Sequence, residues 1–386
     1  MKTIKIFDTT LRDGAQDPRI SFSVHDKLEI VKRLDKFGVD YIEGGWPGSN
    51  EKDTEFFKKV KKLKLNNARI VAMGMTYRKN KEPENDNQLL NLLKAETKIV
   101  SIVGKTSAKQ VKNTLEISLE KNLEIIKKSC RFLKSNGREV FFAAEHFFDG
   151  FKENKKYSLN CLKVAVEGGA SCIVLCDTNG GSLPWEVGKI VAEVKENINL
   201  SISIHCHNDS ETAVANTLMA IESGAEQVQG TINGYGERTG NANLCSVIPA
   251  LKLKMDYKCN VSDRALKNLQ NLSKFVSGVA NVPLYEKQPY VGKDVFKHKA
   301  GLHANAISKD VNSYNHIVPA LVGNSFSVIV SELSGKANIA MKAKEFGIKL
   351  SEEQVENFLQ KIKSKNFNFD GADKSLKVLM QYYSKL

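Results

Sequence analysis

No stretch of this 386-residue sequence approaches the ~18 consecutive apolar residues that a membrane-spanning helix needs. The opening residues also lack the charged-then-apolar layout of a secretory signal, and read instead as a buried strand followed by acidic and hydroxyl side chains. Seven cysteines (Cys130, Cys161, Cys172, Cys176, Cys206, Cys245 and Cys259) are an odd number without CxxC spacing, which points to reduced thiols rather than a disulfide framework. Low-complexity segments and sequence repeats are missing as well. These absences together lead to the expectation of a cytoplasmic protein with no membrane partner.

Two phosphate-binding patterns are present only in part. Val103-Gly-Lys-Thr106 resembles the tail of a P-loop but has Ile99 where the first glycine belongs. In Asn233-Gly-Tyr-Gly-Glu-Arg-Thr-Gly-Asn-Ala-Asn243 the glycines fall as G-x-G-x-x-x-G, the wrong spacing for a dinucleotide fingerprint and too late in the chain. The net charge of +13 is spread over lysine-rich segments such as 58–64 and 121–134, the pattern of solvated helix faces. With no aromatic-basic motif, nucleic acid is excluded as a partner. The remaining positive charge suits an anionic substrate, such as a carboxylate or a coenzyme phosphate.

What the sequence does have is a strand rhythm. Short apolar runs rich in β-branched residues recur at 4–10, 41–45, 70–75, 99–104, 140–146, 173–178, 202–207 and 228–233. Amphipathic helical patterns such as 26–34 and 115–133 lie between them. Strand alternating with helix implies a parallel sheet covered on both faces, and eight such units are what a closed (β/α)8 TIM barrel requires. After Gly240 the rhythm gives way to helical patterns at 244–255, 262–280, 330–346 and 352–362. The expected domains are a barrel over 1–255, an irregular linker and lid over 256–325 that carries His303, and a helical accessory region over 326–386.

In such a barrel the chemistry sits where strands end. The seventh run ends in Ser203-Ile-His-Cys-His-Asn-Asp209, and side chains alternate along a strand, so His205 and His207 share a face while Cys206 points away. The first ends in Asp8-Thr-Thr-Leu-Arg-Asp-Gly-Ala-Gln16, whose Asp13 would complete a His₂-carboxylate set with open positions for Zn, Mn, Mg or Co. An aspartate in a turn is more often a backbone cap than a ligand. Thr178 and Glu145 stand at the sixth and fifth strand ends, Glu145 next to the aromatic-rich 141–148 segment. It could serve as an acid or base, or simply pair with Arg12.

Thr10-Leu-Arg-Asp-Gly-Ala-Gln16, His205-Cys-His-Asn-Asp209 and Gly234-Tyr-Gly-Glu-Arg-Thr-Gly-Asn241 together resemble the 2-isopropylmalate, homocitrate and citramalate synthase family of the DRE-TIM metallolyases. Tyr41-Ile-Glu-Gly-Gly-Trp-Pro-Gly-Ser-Asn50, Ala144-Glu-His-Phe-Phe-Asp-Gly150 and Gln288-Pro-Tyr-Val-Gly292 are most similar to its citramalate-forming branch. The resemblance implies an acyltransferase that condenses acetyl-CoA, as co-substrate, with pyruvate and hydrolyses the thioester, in isoleucine biosynthesis. 2-Oxoisovalerate is the alternative keto acid, and an acyl-CoA or keto-acid lyase the alternative reaction. It further implies Asp13, His205 and His207 as metal ligands with Asn241 a fourth or near-ligand. Arg12, Gln16 and Thr178 would hold the keto acid, with Glu145 beside the reacting carbons. His303, in Lys299-Ala-Gly-Leu-His303, and Tyr314 would come from a lid, often across the interface of a homodimer. Either Glu145 or His303 would be the base. Family members usually carry a further C-terminal regulatory domain, which this chain is expected to lack. Two departures, in Asp17-Pro-Arg-Ile20 and at the small Ala143, are expected to lie near the keto-acid pocket.

Overall fold

The computed structural model describes residues 3–364 and 373–385. Eight strands, β1 (Lys5–Asp8), β2 (Tyr41–Gly45), β3 (Arg69–Met75), β4 (Ile99–Lys105), β5 (Glu139–Glu145), β6 (Cys172–Asp177), β7 (Ser201–Cys206) and β8 (Gln227–Gly230), pair in parallel in sequence order. They close into a barrel through β1 and β8, in register from Lys5 opposite Gln227 to Asp8 opposite Gly230. This is the expected (β/α)8 architecture. The central strands are buried on both faces because helices cover the outside and side chains fill the inside. Phe7, Tyr41, Val71, Phe141 and Val174 pack within the barrel, with Tyr41 meeting Phe141 edge-on at 5.4 Å between ring centroids.

Each strand turns back through a helix whose limits follow local chemistry. Val24–Phe37 begins at a reciprocal cap between Ser23 and Asp26 and ends at Gly38, whose φ of +100° few other residues tolerate. Asp8 closes β1 as a fully buried carboxylate, accepting from the Thr10 amide at 2.9 Å and its hydroxyl at 2.8 Å. Burial pushes Asp8 up from 3.8 to about 7, in spite of those hydrogen bonds. The folded protein therefore holds a proton that the unfolded chain releases. Its stabilisation is complete below about pH 4 and is lost as pH rises through about 7, at up to about 1.4 kcal/mol per pH unit. Melting curves at pH 5 and pH 8 should show a smaller fall for Asp8→Asn than for the wild type; an equal fall would contradict this assignment.

Contacts divide the chain into two compact units, one running to Leu284 and the other from Tyr285 onward. The division falls beyond the expected boundary at 255, because the helix Leu269–Ala280 belongs to the barrel unit. Ser273 donates to Asn233 Oδ1 at 2.6 Å, and Arg33 lies over the Phe275 ring at 4.6 Å. The 262–280 pattern is two helices, Asp263–Leu266 and Leu269–Ala280.

In the second unit the two-residue strands Lys297–His298 and Ser327–Val328 pair in parallel. Helices Lys336–Glu345, Glu352–Lys363 and Asp373–Tyr383 bury Ile339, Phe358, Leu359 and Met380. The stretch expected to be irregular contains a nine-residue helix, Gly301–Lys309, which carries His303. It is too short to display a helical period in the sequence.

Candidate metal centre

After β1 the chain turns sharply, with the amides of Arg12 and Gly14 both donating to the Thr9 carbonyl, at 3.1 and 3.0 Å. Arg12 and Asp13 project from this turn. The Thr10 hydroxyl oxygen accepts the Ile232 amide at 2.9 Å, tying the turn to the chain beyond β8. Across the barrel mouth His205 Nε2 lies 3.3 Å from His207 Nε2 and 3.3 Å from Asp13 Oδ2, while His207 Nε2 is 4.0 Å from the same oxygen. All three residues are buried, and their ligand atoms lie within 4.8 Å of one another.

Convergence of two imidazole nitrogens is informative only if both offer lone pairs. His205 Nδ1 lies 3.1 Å from Gln229 Oε1, an acceptor, so Nδ1 carries the proton and Nε2 presents its lone pair. Burial, with His205 beside it, pushes His207 down to about 4, which leaves it neutral near pH 7. Burial would raise Asp13, but the Arg12 guanidinium holds it well below the usual carboxylate range. The set thus brings one carboxylate oxygen and two imidazole nitrogens together. Asn241 donates from Nδ2 to Asp13 Oδ1 at 3.2 Å, and its own Oδ1 is buried without a hydrogen-bond partner. Such donors and an orphaned buried oxygen fit a divalent cation.

Arg12 spans this centre and β2. Its Nε donates to Glu43 Oε2 at 2.5 Å, Nη1 lies 3.0 Å from Asp13 Oδ2, and Gln16 Oε1 accepts at a long 3.4 Å. Thr178 Oγ1 accepts the His146 amide at 2.8 Å, so its hydroxyl proton remains for a partner in the cavity. Glu145 lines the same cavity but does not pair with Arg12; its partner is Lys105, with Nζ 2.7 Å from Oε2. Nor do Phe142, Phe147 and Phe148 wall it in. Strand alternation puts Glu145 on the face of Phe141 and Ala143, at the barrel mouth above them.

The cavity is about 250 Å³, with an apolar wall that includes Trp46, Met73, Met75, Val103 and Ala143. Ala143 therefore lines this cavity, whereas residues 17–20 are not among the lining residues and Arg19 pairs with Asp17 at 2.7 Å. His303 and Tyr314 belong to the second unit, where their rings stack at 4.0 Å and His298 lies 6.1 Å from His303. Sequence reasoning passed over Glu43, Gln229 and Arg238, all of which line the cavity. A signal existed for the first two, each a polar side chain in an otherwise buried strand.

The HMGL-like family profile matches residues 3–276, and that of the homocitrate synthase post-HMGL domain matches 290–368. An (R)-citramalate synthase from Geobacter sulfurreducens is 50% identical over 99% of this chain and 73% of that protein. One from Aquifex aeolicus is 48% identical, over 98% and 72%. A 2-isopropylmalate synthase from Oceanobacillus iheyensis is 34% identical, over 94% and 70%. Among solved structures, the HMG-CoA lyase of Bacillus subtilis superposes with a TM-score of 0.63 at 21% identity, covering 74% of this chain and 96% of that one. It shares the fold.

Proposed function

We propose that this chain, which belongs to the HMGL-like family in its (R)-citramalate synthase branch, is an acyltransferase that joins acetyl-CoA to pyruvate and hydrolyses the thioester to (R)-citramalate and CoA. One observation carries the reading. Five matched (R)-citramalate synthases are 42–50% identical over 97–99% of the chain, whereas three matched known or probable 2-isopropylmalate synthases are 31–35% identical. A cavity of about 250 Å³ suits a keto acid of few carbons.

Asp13, His205 and His207 would hold a divalent ion, with Asn241 beside them; Zn, Mn, Mg and Co all suit the donor set. When bound, such an ion supplies Lewis acidity to the keto oxygen. Arg12 offers its guanidinium to the oxygen on which negative charge grows. Thr178, whose oxygen already accepts the His146 amide, would donate a hydrogen bond from its hydroxyl to the keto-acid carboxylate, with Gln16 beside it. A base removes a methyl proton from acetyl-CoA, the methyl carbon bonds to the keto carbon, and water cleaves the thioester. His303, stacked on Tyr314, is the base favoured over Glu145, because Glu145 is committed to Lys105. A homodimer in which the second unit of one protomer serves its partner, a cytoplasmic setting and a place in isoleucine biosynthesis belong to the same proposal and rest on the family likeness.

The test follows free CoA release from acetyl-CoA with pyruvate or 2-oxoisovalerate, in the presence of each divalent metal. Pyruvate should be preferred in kcat/KM by about 10-fold or more, the discrimination that a difference of a few carbons in an apolar pocket allows. Equal or faster release with 2-oxoisovalerate would reverse the assignment of the keto acid. No release with either would remove the acyl-transfer reading.

A further inference from the structure

We propose that Arg238 is a positioning residue whose guanidinium latches together the segments that follow β6, β7 and β8, and so sets the keto-acid-binding hydroxyl of Thr178 against the metal centre. Its Nε and Nη2 donate to the two carboxylate oxygens of Asp209, each at 2.8 Å, and Nη2 also donates to the Thr178 carbonyl at 2.9 Å. Asp209 follows His207 by two residues, and Arg238 precedes Asn241 by three. One planar group therefore joins the residue that anchors the keto acid, the strand end that carries both histidines, and the loop that carries Asn241.

The surrounding backbone is shaped to this contact. Gly180, at φ +63°, is pressed so closely against the Asp209 side chain that an added Cβ would stand 2.4 Å from Oδ2. Gly240, at φ +87°, faces the Gly234 carbonyl at a separation that admits no side chain. The Asn208 amide donates to the Gly240 carbonyl at 2.9 Å, holding the β7 and β8 segments together at a second point. Arg238 itself adopts φ +57°, a conformation that L-residues avoid unless tertiary contacts impose it.

A surface ion pair alone would do little, and Arg238 is 42% exposed. Three hydrogen bonds from one rigid fork differ from a point-charge contact, because they fix direction as well as distance. The bond to Thr178 falls on that residue's own carbonyl, so it sets the backbone from which the hydroxyl projects. Lysine cannot reproduce the fork. The latch acts on substrate binding more than on the chemical step, since neither Arg238 nor Asp209 is assigned to the reacting atoms.

This inference rests on the proposed pyruvate chemistry, and the experiment separates the two. In the 386-residue chain, Arg238→Met should raise KM for pyruvate about 10-fold or more while kcat stays within about threefold, the signature of lost ground-state positioning. Asp209→Asn should act in the same direction, and the double variant should be no worse than Arg238→Met because both remove one latch. Arg238→Lys should recover only a minor part of the loss. An unchanged KM, a fall in kcat at constant KM, or additive losses in the double variant would overturn the proposal. Amide hydrogen exchange at 178–182 and 234–241 is read without substrate and should rise in Arg238→Met. If wild-type protein fails to turn over pyruvate, the acyl-transfer reading falls while exchange still decides the latch: unchanged protection overturns it.

Discussion

His207→Ala and Asp13→Asn should each abolish measurable turnover and weaken divalent-metal binding by more than about 100-fold. The bound comes from outer partners of metal ligands, whose loss typically costs about 10–100-fold in affinity, so removal of a ligand must cost more. Gln229→Leu provides the internal comparison. It leaves all three donors but removes the acceptor at 3.1 Å that fixes the His205 tautomer, and should fall within that 10–100-fold range. Asp13→Asn is preferred to alanine because Asp13 is buried against Arg12, and an isosteric amide avoids opening a cavity beside an unpaired guanidinium. Metal content after gel filtration, with melting curves to confirm folding, reads the result. Stoichiometric metal in both His207→Ala and Asp13→Asn would remove the proposed centre and leave the two histidines as an ordinary buried polar network.

Arg12→Met should lower kcat/KM by about 10³-fold with metal still bound, and Arg12→Lys by about 10²-fold or more. Withdrawal of one preorganised donor from a developing oxyanion costs about 10²–10³-fold in other enzymes, and Arg12 would also hold the substrate. The lysine variant separates charge from shape. Arg12 points one nitrogen at Glu43 and another at Asp13, so both carboxylates aim the fork. An ammonium keeps the charge and loses the direction. Burial opposes the guanidinium charge, but Asp13 and Glu43 keep it protonated at any working pH, so the effect should not depend on pH in the neutral range. Near-normal kcat/KM in Arg12→Lys would reduce the residue to a point charge, and near-normal kcat/KM in Arg12→Met would dismiss it from the site.

The barrel was legible because its signal is local. Apolar β-branched runs alternating with helical periods appear wherever a covered parallel sheet is built, and β2 has the limits read from the sequence, Tyr41–Gly45. The misread edges have identifiable causes. Thr9 and Thr10 have strand propensity, yet β1 stops at Asp8 because Thr9 donates its hydroxyl to Gly230 and Thr10 donates to Asp8, which turns the chain. The 330–346 pattern becomes helical only at Lys336. Before it, the Ser331 amide donates to Ser334 Oγ at 2.8 Å, and Asn338 caps the Gly335 amide.

Within the site, the sequence by itself determined that His205 and His207 face the same way, because strand alternation is a property of the backbone and holds in any sheet. It also identified the side chains of the strand ends, where a barrel performs its chemistry. Which of those side chains meet was decided by tertiary structure alone. Arg12 grips Glu43 from 31 residues away, His205 takes its tautomer from Gln229 24 residues on, and Arg238 closes on Asp209 across 29. Pairing with Arg12 is one of the two readings the sequence leaves open for Glu145, but β4 pairs with β5 in a register that sets Lys105 opposite it. Such pairings depend on strand register and barrel closure, which place residues distant in the chain within hydrogen-bonding range and leave no local pattern for the sequence to carry.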